Sequence, residues 1–114
     1  MFQEHLELKY SDLNFEQIIE RCIKNDRRAQ KELFYRYAPV CMAVAQRYVG
    51  AAAQAHDVVQ ESMIRIFHNL QQLEVREERA FKGWIARITS REAIRWLKKQ
   101  SRFDFQAELQ PESF

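Results

Sequence analysis

The chain has very few residues that form turns. Its 114 residues include only two glycines and two prolines. A β-rich fold needs many tight turns, and glycine and proline supply much of the backbone geometry that turns require. Hydrophobic residues make up 46% of the chain and charged residues 30%, which is typical of a globular domain with a buried core. The sequence therefore predicts an all-α fold, a compact bundle of about four helices.

The first two helices have recognisable start signals. Asn14, with Gln17 three residues later, is predicted to cap the first helix, and Asp26 the second. Pro39 lies within the second helix and is expected to kink or split it, while Gly50 is expected to end it. Apolar residues recur in the second helix at three- and four-residue steps, as a core-facing stripe should: Leu33, Phe34, Tyr37, Cys41, Val44, Ala45 and Tyr48.

A third helix, predicted over about residues 54–70, has two distinct sides. The apolar side consists of Val59, Met63, Ile66, Phe67 and Leu70. The opposite side is polar apart from one isoleucine: Asp57, Gln60, Glu61, Ile64, Arg65 and His68. Ile64 is either one of the exposed apolar residues found on any surface or a contact for a partner protein, and helix geometry alone favours neither.

The stretch from Phe81 to Arg102 is predicted to form a long fourth helix. It holds seven Lys or Arg residues and one acid, Glu92, and so carries +6 in a chain whose net charge is +2. Its predicted core side is Phe81, Ile85, Ile88, Ala93, Trp96 and Leu97. Its cations form a second side, called here the basic stripe: Arg87, Arg91, Arg95, Lys98 and Arg102, with Lys99 at the margin.

The basic stripe favours nucleic acid as a partner. Apart from Glu92, no acid lies at the helical steps that would pair with these cations, so like charges repel along the helix. A polyanion would relieve this repulsion, whereas the simpler alternative is a solvated helix face. Trp84 projects along the stripe and could stack on an unpaired base or belong to the core, and both readings stay open. Trp96 is expected in the core.

Other chemistries have little support in the sequence. Asp57, Glu61 and His68 could contribute metal ligands, but no other helix offers an inward-facing His/Glu pair, so neither a metal nor a cofactor is expected. We find no nucleotide-binding loop and no serine with a local histidine, and we expect neither an enzyme nor a small-molecule substrate. Cys22 and Cys41 are expected to be reduced, buried thiols. Without an apolar run of about 20 residues or a signal peptide, the chain is expected to be cytoplasmic and not membrane-bound.

Four pieces of the chain resemble bacterial RNA polymerase sigma factors. The run 57–61, DVVQE, followed by Ile64, Arg65 and Phe67, resembles the family's D-L-V-Q-E-x-F-L-R-x-[FW] run. Residues 81–88, FKGWIARI, resemble its F-x-x-W-L-x-x-I signature, and residues 93–99 resemble the basic pattern downstream. The beginning of the same domain is matched by Asp26, Leu33, Tyr37 and Pro39. The resemblance covers roughly residues 15–102 and is closest to region 2 of the small extracytoplasmic-function (ECF) group.

The resemblance implies a domain that binds core RNA polymerase and recognises and helps to melt the promoter −10 element, with an anti-sigma factor as a further partner. The residues implied to bind the clamp coiled coil of the polymerase β′ subunit are Asp57, Gln60, Glu61, Ile64 and Arg65. Residues 71–79 would hold a flipped base. Promoter DNA, partly single-stranded, would be bound by Trp84, Arg87, Arg91, Arg95, Lys98, Lys99 and Arg102. The alternative is a general helical DNA-binding regulator that does not act through polymerase.

The chain departs from the family pattern at several positions. Arg91 and Arg95 stand where many members carry Asn and Asp, so a promoter preference cannot be carried over. His56 stands where Glu or Asp is usual. No second DNA-binding domain follows, and we expect either a fragment or a protein that lacks that domain. The predicted organisation is an arm over 1–14, the helical domain over 15–102, and the start of a linker or a loose tail over 103–114.

Overall fold

The structure, a computed structural model, describes residues 8–74 and 77–109. A 3-10 turn at Tyr10–Asp12 precedes the helices α1 (Phe15–Ile23), α2 (Arg27–Val49) and α3 (Ala52–Asn69). A second 3-10 turn at Leu70–Gln72 leads towards the last helix, α4 (Glu78–Glu108). These two ranges contain no β-strand, so the predicted all-α bundle is confirmed. None of the described helices is both long enough and apolar enough to span a membrane.

Local capping signals place the first two helices as predicted. The Asn14 side chain accepts a bond from the Gln17 N–H at 2.8 Å, and the Gln17 side chain accepts one from the Asn14 N–H at 2.9 Å. This reciprocal capping box satisfies two backbone donors that α1 cannot pair internally. Asp26 caps α2 by accepting bonds from the N–H groups of the second and third helical residues. Gly50 ends α2 with a positive φ of 76°, which glycine adopts without a Cβ clash.

α2 differs from its prediction at Tyr48, and it is not split at Pro39. Of the expected kink or split, the split is wrong, because the helix runs unbroken to Val49, and a kink stays a prediction. Pro39 removes one backbone bond, and the buried side chains on either side of it, Tyr37 and Cys41, hold the helix in the core. Tyr48 is not buried but 40% exposed, although its neighbour Val49 packs partly against the core.

An aromatic cluster joins α1, α2 and α4. Phe81 at the start of α4 is fully buried, with its ring centroid 4.9 Å from that of Tyr37 and 5.1 Å from that of Phe15. The Trp84 ring lies 5.8 Å from Phe81. Such spacings allow edge-to-face and tilted packing, which adds to the gain from burial. Around this cluster the core is completed by side chains of α3, among them Val59, Met63 and Ile66.

The inner face of α4 differs from its prediction at three residues. Phe81, Ile85 and Ala93 are buried, and Ile88 and Trp96 pack partly buried against the core. Thr89 and Glu92 are also buried, although both are polar. Leu97 is exposed, which contradicts its predicted place in the core, because α4 leaves the bundle there and every later residue described is exposed. The division into an arm, a domain and a tail stays a prediction.

The two cysteines are free and buried, as expected. Burial raises the pKa of the Cys22 thiol to about 12 and also raises the pKa of Cys41. We predict that the native thiols react with a disulfide reagent at pH 8 at least about tenfold more slowly than the urea-unfolded chain.

The same shifts predict how stability depends on alkaline pH. Unfolded thiols ionise near their ordinary pKa of about 8.5, while the folded thiols stay protonated to higher pH. The stabilising contribution is therefore complete below about pH 8 and declines as pH rises towards 12. Urea unfolding at pH 7.5 and pH 10 measures this decline in the free energy of unfolding. A Cys22→Ala variant is the control, and its decline should be smaller. An equal decline in both proteins would contradict the prediction.

Candidate functional site

The polar side of α3 forms an exposed surface, called here the docking surface. All five of its predicted residues are exposed: Asp57, Gln60, Glu61, Ile64 and Arg65. Ile64 is 49% exposed, among charged and amide neighbours. The opposite side of α3 is buried through Val58, Val59 and Met63, so the core fixes which side chains face outwards. The predicted orientation of these residues is confirmed, and their role as polymerase contacts stays a prediction.

The basic stripe is also exposed along its whole length: Arg87, Arg91, Arg95, Lys98, Lys99 and Arg102. Within residues 8–74 and 77–109, Arg95 is the one member that has an ion pair, to Glu92 at 3.5 Å. The other cations are surrounded by solvent and are available to anions. The stripe is therefore a surface of uncompensated positive charge, as its sequence predicts.

A groove of about 530 Å³ joins the docking surface to the basic stripe. Its α3 wall is formed by Asp57, Val58, Gln60, Glu61 and Arg65, and its α4 wall by Glu92, Arg95, Trp96 and Lys99. The two predicted surfaces lie on different helices but meet along this groove. Trp96 packs partly against the core, as expected, and also lines the groove.

Glu92 is a site residue whose place the sequence analysis missed. Its side chain is only 6% exposed, and it accepts a bond from Arg65 Nε at 2.7 Å and pairs with Arg95 Nη1 at 3.5 Å. A buried carboxylate needs such partners because it has lost its hydration. One carboxylate therefore binds a residue of the docking surface and a residue of the basic stripe. The only sequence signal for this arrangement was that Glu92 lies three residues before Arg95, a spacing at which side chains of a helix can pair.

A second depression lies beside Trp84 and is called here the Trp84 depression. It has a volume of about 480 Å³, and its walls are formed by Asn69, Gln72, Leu73, Glu74, Trp84, Ile88 and Arg91. Trp84 is half-buried: it packs partly against the core and also lines the depression. Its role in stacking an unpaired base stays a prediction. An aromatic ring beside an exposed arginine can stack a base and pair with its phosphate. Of the predicted base-holding segment 71–79, residues 75 and 76 lie outside the described residues.

A hydrogen bond from α2 fixes the start of α4 next to this depression. The Tyr37 hydroxyl donates to Glu78 Oε2 at 2.6 Å. Burial, together with this bond to a carboxylate, raises the pKa of Tyr37, so the phenol remains a donor at neutral pH. The bond ties the first turn of α4 to the core, and α4 in turn carries Trp84 and the basic stripe.

No metal site is built from the acidic residues of α3. In the part of the chain that the structure describes, no group of three or more His, Cys, Asp or Glu side chains is arranged to hold a metal ion. Asp57, Glu61 and His68 are all exposed, as separate side chains of one helix.

A family model described as sigma-70 region 2 matches residues 33–103, which is more than half of the chain. The chain belongs to the sigma-70 region 2 family. The matched range includes all of α3, both predicted surfaces and all of α4 as far as Phe103. The resemblance to sigma factors found in the sequence is therefore confirmed.

Two similar proteins support this membership. A protein of Haemophilus influenzae (strain ATCC 51907 / DSM 11121 / KW20 / Rd), named as a probable RNA polymerase sigma factor, is 35% identical over 72 residues. The match covers 63% of this chain and 36% of that protein, so the chain spans about a third of its relative's length. An NMR structure of an engineered region 2 of sigmaE in complex with GTAAAA is 30% identical, with a TM-score of 0.71. That match covers 79% of this chain and 92% of the other.

The buried carboxylate predicts a stability effect at the docking surface. In an Arg65→Ala variant Glu92 loses its shortest partner, and we expect the free energy of unfolding to fall by about 1–3 kcal/mol. Arg87→Ala removes an exposed arginine that has no ion pair among residues 8–74 and 77–109, and it should change the free energy of unfolding by less than about 0.5 kcal/mol. Urea denaturation measures both. Equal stability of the two variants would show that the Arg65–Glu92 pair contributes nothing.

Proposed function

We propose that this domain acts as part of a transcription initiation factor of the ECF type. In this role it binds core RNA polymerase through the docking surface and the promoter −10 element through the basic stripe and the Trp84 depression. The observation that carries the proposal is that two exposed surfaces of different chemistry meet along a single groove. The docking surface presents carboxylates, an amide and the exposed Ile64, whereas the basic stripe presents cations. Family membership supports the same role.

The docking surface is suited to a protein partner. Ile64 supplies an apolar contact, and Asp57, Gln60 and Glu61 surround it with groups that can form bonds at the rim of an interface. The proposed partner is the clamp coiled coil of the β′ subunit. An anti-sigma factor is the proposed regulatory partner. The role places the protein in the cytoplasm, where polymerase and promoter are found.

The basic stripe and the Trp84 depression are suited to partly opened DNA. Arg87, Lys98 and Arg102 follow α4 at helical steps and can neutralise successive phosphates, while Trp84 and Arg91 border a depression large enough to receive a base. Melting then consists of capturing bases once they leave the stack, a step that requires no hydrolysis and no catalytic residue. The proposed function is accordingly non-enzymatic.

The alternative is a helical DNA-binding regulator that works without polymerase. It uses the basic stripe but gives no role to the exposed docking surface. It also predicts tight binding of the isolated chain to ordinary duplex DNA. The family match makes this alternative the less favoured of the two.

The docking proposal is tested by retention on immobilised core RNA polymerase. We expect the Gln60→Ala/Glu61→Ala variant to bind at least about tenfold more weakly, a loss of about 1.4 kcal/mol, because both side chains lie at the centre of the docking surface. A matched control is Gln46→Ala/Glu20→Ala, which removes the same two side-chain types from exposed positions on α2 and α1. Retention of both variants at the parent level would count against polymerase docking by this surface.

The DNA proposal is tested with the chain bound to core polymerase and a promoter fragment whose −10 region is single-stranded. Replacing Arg87 and Arg91 with alanine removes two exposed cations, and we expect the salt-dependence slope of binding to fall by about 1.4, at about 0.7 for each phosphate contact. Lys24→Ala/Arg47→Ala removes two exposed cations from outside the stripe and should leave the slope unchanged. Equal slopes for the parent and both variants would rule out the stripe as the phosphate-binding surface.

A further inference from the structure

A second basic and aromatic surface lies on the N-terminal half of α2, away from the basic stripe. We call it the N-terminal patch, and it consists of Lys9, Tyr10, Arg28, Lys31 and Tyr35. These residues border a depression of about 410 Å³, together with Leu8, Ser11 and Glu32. All of the patch except Tyr35 precedes residue 33, where the family match begins. Membership of the family therefore does not account for it.

The patch is built by hydrogen bonds that hold the preceding segment against α2. Arg36 Nη2 donates to the carbonyl oxygens of Tyr10 at 2.9 Å, Ser11 at 3.2 Å and Leu13 at 2.6 Å. The Tyr10 hydroxyl donates to Asp26 Oδ2 at 2.7 Å. Because these bonds cross more than 15 residues of sequence, the surface is set by tertiary structure and is formed before any ligand arrives.

The acids next to the patch already have partners, so its cations are left in excess. Glu32 accepts from Arg36 Nε at 2.7 Å. Asp26 accepts from the Tyr10 hydroxyl and caps α2, and these bonds, that of Tyr10 foremost, lower the pKa of its carboxyl. Lys9, Arg28 and Lys31 are exposed and have no ion pair within residues 8–74 and 77–109. Among the described residues close in sequence, Asp12 on the neighbouring turn and Glu16 in the first turn of α1 are further exposed acids.

The aromatic rings of the patch are combined with its cations. The Arg28 guanidinium carbon lies 4.7 Å from the Tyr10 ring centroid, and Lys31 Nζ lies 5.9 Å from that of Tyr35. Tyr35 is 63% exposed, so the face of its ring is accessible to a ligand. Exposed rings flanked by cations are the combination by which proteins bind unpaired bases and their phosphates. In a duplex the base faces are stacked on one another, so a duplex cannot use Tyr35 in this way.

We propose that the N-terminal patch binds single-stranded nucleic acid, with phosphates against Lys9, Arg28 and Lys31 and a base stacked on Tyr35. This contact is separate from the basic stripe. Tyr37 bonds to Glu78 in the first turn of α4; the α2 residues of the patch precede Tyr37, whereas the basic stripe begins nine residues after Glu78. The proposal does not depend on polymerase binding or on the function proposed for α4.

The test measures binding of the full chain to fluorescently labelled oligothymidylate of about 6 and 12 nucleotides by anisotropy. It is carried out in an Arg87→Ala/Arg91→Ala background, which removes two of the six cations of the basic stripe and so lowers the contribution of the stripe to binding. We expect Tyr35→Ala to weaken binding about tenfold, Tyr35→Phe to retain it, and Arg28→Ala/Lys31→Ala to reduce the salt slope by about 1.4. Tyr48→Ala, which removes a tyrosine 40% exposed on the same helix, is the matched control and should change binding less than twofold.

Three results would overturn the proposal. The first is parent-level binding by both Tyr35→Ala and Arg28→Ala/Lys31→Ala, with helical content unchanged by circular dichroism. The second is an equal loss in Tyr35→Ala and Tyr48→Ala. The third is binding of poly-glutamate as tight as that of oligothymidylate and equally sensitive to Tyr35→Ala, which would identify the patch as a site for acidic polypeptides. The polymerase-retention and stripe experiments use other variants, so failure here leaves the function proposed for α3 and α4 untouched.

Discussion

Burial of the inner face of α4 against α2 is the constraint on which the other features depend. Phe81 packs on Tyr37, and four residues further along α2 the Cys41 thiol lies beside Thr89. Later residues of α2 therefore meet later residues of α4, so the two helices run in the same direction. Fully burying a side chain as large as Phe81 contributes about 2–3 kcal/mol, more than an exposed charge pair contributes. The apolar face therefore fixes the rotation of α4 about its axis.

That rotation explains why the cations are exposed. Once Ile85, Thr89 and Ala93 face α2 and the core, the arginines at 87, 91 and 95 must point to solvent, whatever their mutual repulsion costs. Beyond Trp96 the bundle ends and the helix continues without cover to Glu108. The long basic helix is thus held at one end and free at the other. Such an arrangement gives an extended polyanion access to several phosphate-binding side chains in succession.

Signals local in sequence predicted the fold well, whereas tertiary pairing was beyond them. The Asn14 and Asp26 caps, the end of α2 at Gly50 and the outward side of α3 each depend on residues within one or two turns. The error at Leu97 has a different cause, since periodicity shows which side of a helix is apolar but not where its neighbours end. The N-terminal patch escaped notice because Arg36 reaches Tyr10 across 26 residues, a contact that no spacing rule indicates. For the candidate site, the sequence predicted which side chains are exposed, but it did not predict the groove between α3 and α4.

Glu92 shows how a basic helix can also hold a buried acid. Its carboxylate bonds Arg65 of α3 at 2.7 Å and pairs with Arg95 of its own helix at 3.5 Å. The Glu92 side chain is 6% exposed, whereas the Arg95 side chain is 60% exposed. The bridge between α3 and α4 therefore lies on the inner side of the helix, while the cations of the basic stripe remain on its outer side.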